Sequence, residues 1–370
     1  MSDATQHTHT LSCSRSRQRP IFIIGCGSIV RDAHLPGYAL LAAPIAGFFD
    51  LDHARAQTMA HTVRGSVAFS SLHALIAACT AADGIFDVAL PPAAQEAALL
   101  ELPLNSRVLL QKPFGETLEH ATRLLTIARQ RTLVGAVNFQ LRHSPCIGAV
   151  RGLLAQEAIG EVIDIECRVV CHMPWETWSF TRLMPRMEVV MHSIHYLDLV
   201  RGLFGEPERV WCSTTQHPLS SDLTDTRSAT IMSFGPTRRA VVTTFHHHRA
   251  PQAHDCSQLK IEGTRGTIVA QLGVNLDYPR GRPDHVQWSR DEQPWTSVPL
   301  EGNWFPHAFA GSMNALQRFV AGESTTLESE FADAWRTMAL VETCYQSAAR
   351  GETPPNPPEN RDFSAMPLPL

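Results

Sequence analysis

The sequence has no block of basic residues. Its 31 Lys and Arg stand against 36 Asp and Glu, for a net charge of −5, and that balance leaves no electrostatic footprint for nucleic acid. No apolar run approaches the roughly 20 residues needed to span a bilayer, so no membrane partner is expected. Residues 1–19, MSDATQHTHTLSCSRSRQR, lack an apolar core of signal-peptide length and read as a disordered tail. The nine cysteines are scattered and odd in number. That usage predicts free thiols in a reducing compartment, hence a cytoplasmic location. Cys167, Cys171 and His172 lie in a strand-like apolar run without a second cysteine pair, which suits buried residues better than a metal site. No internal repeat is found.

What is there begins with Ile21 to Asp50, IFIIGCGSIVRDAHLPGYALLAAPIAGFFD. Four apolar residues of buried-strand length run into Gly25-Cys26-Gly27-Ser28. A helix-suited run follows, then a strand over Pro44 to Phe49 that ends in Asp50. This is the start of a βαβ unit with an acid where a dinucleotide-binding fold needs one. The helix N-terminus after Ser28 would aim its free N–H groups at a pyrophosphate. Asp50 would accept from the adenosine ribose hydroxyls. The third glycine of the usual fingerprint is Val30 here, so the turn alone also suits an α/β domain with no dinucleotide. A carboxylate at Asp50 repels a 2′-phosphate, which favours NAD over NADP, although Arg55 lies close in sequence.

With 370 residues, two domains are expected. Strands at 67–69, 84–90, 108–111 and 133–138 alternate with helices at 53–61, 71–78, 93–102 and 117–131. That alternation predicts an α/β Rossmann domain with a doubly wound parallel sheet over residues 20–143. Gly25, Asp50, Pro91, Lys112 and Gln140 all fall at carboxyl ends of strands, where such sheets collect ligands. Residues 144–352 read as an α+β domain with a large, mainly antiparallel open sheet. Its strands are expected at 162–170, 209–214, 228–233, 240–245, 257–262 and 266–271, with helices at 147–158, 192–203, 308–320 and 330–349. Residues 353–370 form a Pro-rich C-terminal tail.

Lys112, in Gln111-Lys112-Pro113-Phe114-Gly115, ends a buried strand. It is either an exposed strand-end lysine or a donor to a substrate hydroxyl whose pKa falls in a dry crevice. If Met187 to Asp198 is α-helical, Glu188, His192 and His195 share a face. They then act in acid–base chemistry, bind a metal, or pack as hydrogen-bonded core. Of His246-His247-His248, His246 and His248 could face one site together while His247 faces away. Trp175, Trp178, Trp304 and His307 lie in loop-like segments. Tryptophans in such places either stack on sugar rings or fill cores.

The stretches IFIIGCGSIVRDAHLPGY, ALPPAAQEAALL, VLLQKPFGETLEHATRL, NFQLRHSP, IGEV and HSIHYLDLVRGLFGEPERVW occur in that order. Together they resemble the glucose–fructose oxidoreductase / inositol dehydrogenase (Gfo/Idh/MocA) family over about residues 20–350. The resemblance implies hydride transfer between a nicotinamide and a sugar, polyol, inositol or sugar acid. It also implies a homodimer or homotetramer formed through the open sheet. By position it gives Lys112 and His195 catalytic roles. It gives cofactor contacts to Gly25, Gly27, Ser28, Ile29, Asp50, Pro91, Gln95, Gln111, Lys112 and Gln140, and leaves Arg142 to structure or substrate. The substrate side would be walled by Trp175, Trp178, His192, His195, Trp304 and His307. Where the family carries Asp-x-Gly-x-His, this chain has Met191-His192-Ser193-Ile194-His195, and Glu188 or His192 must then fill the lost polar role. No metal is expected. An NAD-dependent dehydrogenase is the main reading. A redox-neutral enzyme that retains NAD and an NAD-responsive binding protein without catalysis are the others.

Overall fold

A computed structural model describes residues 13–14, 17–250 and 254–351. The first sheet holds β1 (Ile21–Ile24), β2 (Ile45–Phe49), β3 (Val67–Ala68), β4 (Ile85–Val88), β5 (Arg107–Leu110) and β6 (Val134–Val137). Their order is β3-β2-β1-β4-β5-β6, and every neighbouring pair is parallel. The strands are short and apolar because both faces are covered by helices. Those helices are α1 (Leu35–Leu40), α2 (His53–Thr62), α3 (Leu72–Ala81), α4 (Pro92–Glu101) and α5 (Leu118–Gln130). Their starts are chemically marked: Asp52, Ser71 and Thr117 each accept a backbone N–H of the first turn.

After α6 (Pro145–Ala155), the chain builds β7 (Val162–Val170), α7 (Ile194–Phe204), β8 (Arg209–Thr215), β9 (Arg227–Ser233) and β10 (Arg239–Phe245). It continues with β11 (Cys256–Gly263), β12 (Gly266–Gln271), β13 (His285–Arg290) and β14 (Thr296–Val298). The eight-stranded order is β14-β13-β12-β11-β7-β10-β9-β8, antiparallel except for β7 beside β10. β13 and β14 were not anticipated. They lie at one edge, where Gln287, Ser289 and Thr296 supply little of the apolar run that marks a buried strand. The strands alternate: Ser228, Thr230 and Met232 of β9 point inward while Ile231 points out. The outward face leaves Trp211 and Ile231 exposed.

Two expectations about the chain ends need correction. Residues 17–19 are tied down rather than loose. The side chain of Gln317 on α8 (Trp304–Val320) accepts from the Arg19 N–H and donates to the Arg19 carbonyl, both at 2.9 Å. Cys13 N–H likewise donates to Asn314 Oδ1. The remainder of the tail and the Pro-rich segment 353–370 lie outside the described residues. The second correction concerns the single boundary at residue 144. Ala310, Met313 and Leu316 of α8 share a core with Ile21 and Ile23 of β1. Phe331, opening α9 (Phe331–Ala349), stacks on Phe114 with ring centroids 5.6 Å apart. The last helices therefore return to the first sheet, and the two halves share one continuous packing.

Among the described residues no helix is long and apolar enough to cross a membrane. All nine cysteines are free, Cys167 and Cys171 buried.

Candidate active site

The turn after β1 is built for close approach. Gly25 has φ +96°, and a β-carbon there would sit 2.6 Å from the Ala89 carbonyl oxygen. Gly27 instead faces open space, with nothing within 4 Å of where a β-carbon would stand. The chain turns helical at Ser28 and Ile29, and is π-wound over Val30–His34 before α1. Asp50 lies across this turn. Its Oδ2 accepts the Cys26 N–H at 2.7 Å and its Oδ1 the Asp52 N–H at 2.8 Å. Asp50 is thus already engaged, but each oxygen keeps a second lone pair for a hydroxyl. Arg55 pairs with Asp52 at 3.2 Å. Gly25→Ala is expected to cost about 1–3 kcal/mol through the left-handed backbone alone, with weakened NAD binding. Urea unfolding and an NAD titration check both.

Further along the strand ends, Pro91 is exposed as the residue before α4. Gln111 is buried, and its Oε1 takes the Lys112 N–H at 3.3 Å. Gln140 begins a short 3-10 turn over Gln140–His143. Its Oε1 is buried without a partner among the described residues, as are both side-chain polar atoms of Asn138. Asn138 was not anticipated; its signal was a polar residue directly after a buried strand. Buried amides without partners at the end of β6, on the same sheet edge as the glycine turn after β1, fit a polar ligand along these strand ends.

Gln95 corrects its expectation as a direct cofactor contact. Its Nε2 donates to the Gln111 and Pro113 carbonyls at 2.7 and 2.9 Å, and its Oε1 accepts the Gly115 N–H. Both donors are spent on fastening the Lys112 loop. Arg142 is corrected in the same way as a substrate ligand. It grips Asp198 with two hydrogen bonds of 2.6 Å and forms an ion pair with Asp333 at 2.9 Å, so all three guanidinium nitrogens face a carboxylate.

Lys112 is brought under the second domain. Its Nζ donates to the Met191 carbonyl at 2.7 Å. The position that lacks the family's carboxylate still serves this lysine, through its backbone. Burial pushes the Lys112 amine down to about 8. Beyond Met191 the histidines gather: the His192 and His195 ring centroids are 6.4 Å apart. Both are pressed well below the usual histidine range, first by burial. His192 also feels His246, Lys112 and His195, and His195 feels Lys112. Each keeps a buried Nδ1 without a partner among the described residues.

Glu188 does not share that face. Residues Val189–Ser193 are π-wound, with i→i+5 bonding, and the extra residue in the turn rotates Glu188 away from His192. It aligns with Ser193, whose Oγ donates to its Oε1 at 2.9 Å. Its remaining bonds run to Thr244 at 2.8 Å and to His246 Nδ1 at 2.8 Å. The direct catalytic role expected of Glu188 is therefore corrected: it is buried behind the crevice. Among the described residues no cluster of three or more His, Cys, Asp or Glu could hold a metal.

The aromatic residues divide. Trp175 meets the His192 and His246 rings, each at 5.4 Å. Trp304 meets His195 at 5.9 Å. The indole nitrogens of both are buried and unpartnered among the described residues. Trp178 packs on Trp175 and, at 5.3 Å, on Tyr278. His307 packs on the Gly302–Asn303 turn, its Nδ1 accepting the Asn303 N–H at 3.3 Å. His247 turns away, stacked on His217 at 4.3 Å, and His248 faces Asp255 at 3.6 Å.

Known proteins bear on this arrangement directly. A D-apiose dehydrogenase of Paraburkholderia graminis is 26% identical over 95% of this chain and 93% of its own length. An inositol dehydrogenase homologue of Azotobacter vinelandii, solved with NAD+, superposes with TM-score 0.73 at 19% identity, covering 93% of this chain and 98% of that one. A structure described as a NADPH-dependent oxidoreductase, from Desulfitobacterium hafniense, gives TM-score 0.76 at 14% identity, over 90% and 96% of the two chains. Residues 20–139 match the oxidoreductase family model with an NAD-binding Rossmann fold, and residues 147–269 match the GFO/IDH/MocA C-terminal domain. With the strand-end crevice, its buried lysine and the paired domains in the same chain, this protein belongs to the Gfo/Idh/MocA family and is an NAD(P)-dependent oxidoreductase.

Proposed function

We propose that the protein is an NAD-dependent dehydrogenase acting on a CH–OH group of a sugar, polyol, inositol or sugar acid. One observation carries the reading: a lysine amine, lowered to about 8, is held at the strand-end crevice against the histidine-bearing turn of the other domain. The names of the relatives support the substrate class. D-apiose is a sugar, and a second structure of the Azotobacter vinelandii protein holds NADH and myo-inositol.

NAD, when bound, supplies the acceptor for the hydride of the carbinol carbon. The chain's own residues handle the remaining proton and the geometry. Gly25, Gly27, Ser28 and Ile29 bring backbone close to the phosphates, where the helix start favours negative charge. Asp50 receives the ribose and disfavours a 2′-phosphate. Pro91, Gln111 and Gln140 line the strand ends toward the nicotinamide. With its pKa lowered to about 8, about a tenth of the lysine is neutral at pH 7 and about half at pH 8, so Lys112 can take the hydroxyl proton as the carbonyl forms. His192 and His195, kept neutral by burial, offer lone pairs beside it. Trp175 and Trp304, buried against the histidines, back the site, and the partly exposed Trp178 offers a ring to the apolar face of a pyranose or inositol.

The test is NADH absorbance with purified protein and a panel of sugars, inositols and sugar acids. NADH growth with one substrate group is the expected result. No growth, with NAD still bound, would replace this reading by a redox-neutral reaction on retained NAD. Cofactor choice has its own check: Asp50→Ser is expected to shift the kcat/KM ratio toward NADP by at least tenfold. The outward sheet face with Trp211 and Ile231 is proposed to close a homodimer or homotetramer, measured by light scattering.

A further inference from the structure

The Glu188–His246 pair is used neither to fasten the fold's ends nor to touch the crevice directly. Its geometry is specific. Both residues are fully buried. Ser193 and Thr244 hydroxyls donate to Glu188 Oε1, and Oε2 faces His246 Nδ1 at 2.8 Å. Ser228 closes the hydroxyl ring, with its Oγ 2.8 Å from both Ser193 and Thr244. Every one of these partners can donate, which is the pattern a carboxylate satisfies. A proton of His246 is thereby assigned to Nδ1, across the ring from Nε2. That Nε2 is buried with no partner among the described residues. The His246 ring lies 4.0 Å from the His192 ring, and Trp175 packs against both.

We propose that His246, oriented by the Glu188 carboxylate, is a positioning residue for His192, and that this pair supplies the buried counter-charge absent at Met191. The proposal rests on the dehydrogenase reading. In that reaction the carbinol O–H bond breaks, its electrons form the carbonyl, the hydride leaves to the nicotinamide, and the proton passes to the Lys112–His192 group. A positive charge then arises in a site where burial, His246, Lys112 and His195 all oppose it at His192. Behind His246 stands Glu188, the one carboxylate bonded to His192, His195 or His246 among the described residues. The other titratable groups around the pair are Asp225, which accepts the Met187 and Glu188 N–H groups, and Cys171, Tyr196, Cys212 and Tyr345, each of which feels the Glu188 charge, while His247 turns away onto His217. Met191 can contribute only its carbonyl, already taken by Lys112. The π-turn explains the substitution of roles: it moves the carboxylate from the crevice wall to a place one imidazole behind it.

The experiment uses the full-length protein with 15N-labelled histidine, read by NMR against pH, beside Glu188→Gln and His246→Asn. The first variant keeps the shape and removes the charge. The second keeps a donor toward Glu188 and removes Nε2. His192 is assigned by the loss of its signal in His192→Asn. The expected result is a His246 bearing its proton on Nδ1, a His192 midpoint that falls in Glu188→Gln, where the carboxylate charge is gone, and a midpoint that moves in His246→Asn, where the link to Glu188 and an imidazole that opposes charge at His192 are lost together. An unmoved His192 midpoint in both folded variants overturns the proposal, whether or not any substrate turns over. If Glu188→Gln does not fold, His246→Asn and the wild-type Nδ1 assignment decide it. Where the dehydrogenase reading holds, both variants are expected to lose 10- to 100-fold in kcat with KM and NAD affinity little changed, and the acid limb of kcat moves to lower pH in Glu188→Gln. A wild type without NADH formation in the substrate panel overturns the dehydrogenase reading separately, since the NMR result stands on its own.

Discussion

Lys112→Met is expected to remove turnover and to make the protein more stable. The loss of a general base is worth about 10²–10⁴-fold in rate. The gain in stability follows from the same burial that tunes the amine. The folded-state pKa of about 8 lies below the ordinary 10.5, so the unfolded chain binds more protons between those two values. Stability of the wild type therefore rises with pH through that window. At pH 7 the lysine is mostly protonated in both states, and its burial costs up to about 3.5 kcal/mol at 1.4 kcal/mol per pH unit. The residue retains some exposure, and solvent screening trims that figure. Methionine carries no such cost. Urea unfolding should show the variant ahead at pH 7 and the gap closing from pH 8 to 10.5. A gap that does not change with pH would mean that the amine is not desolvated. NAD binding is expected to survive, because the glycine turn and Asp50 are untouched.

Asp198→Ala should give the largest loss of stability. Asp198 is buried on α7 and receives two bonds of 2.6 Å from Arg142, which comes from the end of the first domain. Thr337 of α9 donates to the same carboxylate at 2.7 Å. Asp333 on α9 ties Arg142 and Arg201 together, at 2.9 and 2.7 Å. Three elements from both domains thus meet at one buried charge. Removing one partner of such a pair strands the other and costs about 3–5 kcal/mol. A conservative Asp198→Asn, which keeps the hydrogen-bonding shape, should lose less. Urea midpoints read both. A loss below about 1 kcal/mol for the alanine variant would place this network among the weak surface pairs. The same network explains why Arg142 is not available to a substrate.

Much of the first domain can be read without coordinates. Short apolar strands punctuated by Gly, Pro and Asp, alternating with helix-suited runs, specify parallel βαβ units. The strand-end rule then gathers Gly25, Asp50, Lys112 and Gln140 into one crevice, because parallel strands all end on the same side. The polar edge of the second sheet was less legible, since β13 and β14 carry no apolar run. Gln95 and Arg142 look like ligand contacts in sequence, but sequence does not show which lone pairs and donors are already used. The phase of the Glu188–His195 segment failed for a purely geometric reason. Nothing in MEVVMHSIHYLD announces a π-turn, and one inserted residue swings a side chain from one wall to another.

What the sequence determined by itself is the set of local choices: which segments are strands, where helices start, and that a lysine ends a buried strand. Those depend on side-chain period, capping and backbone freedom, which are properties of near neighbours. Tertiary structure alone decided the return of α8 and α9 to the first sheet, the Arg142–Asp198–Asp333 clamp and the Glu188–His246–His192 alignment. Each of these joins residues far apart in the chain, and each is fixed by packing and by where buried polar atoms find partners.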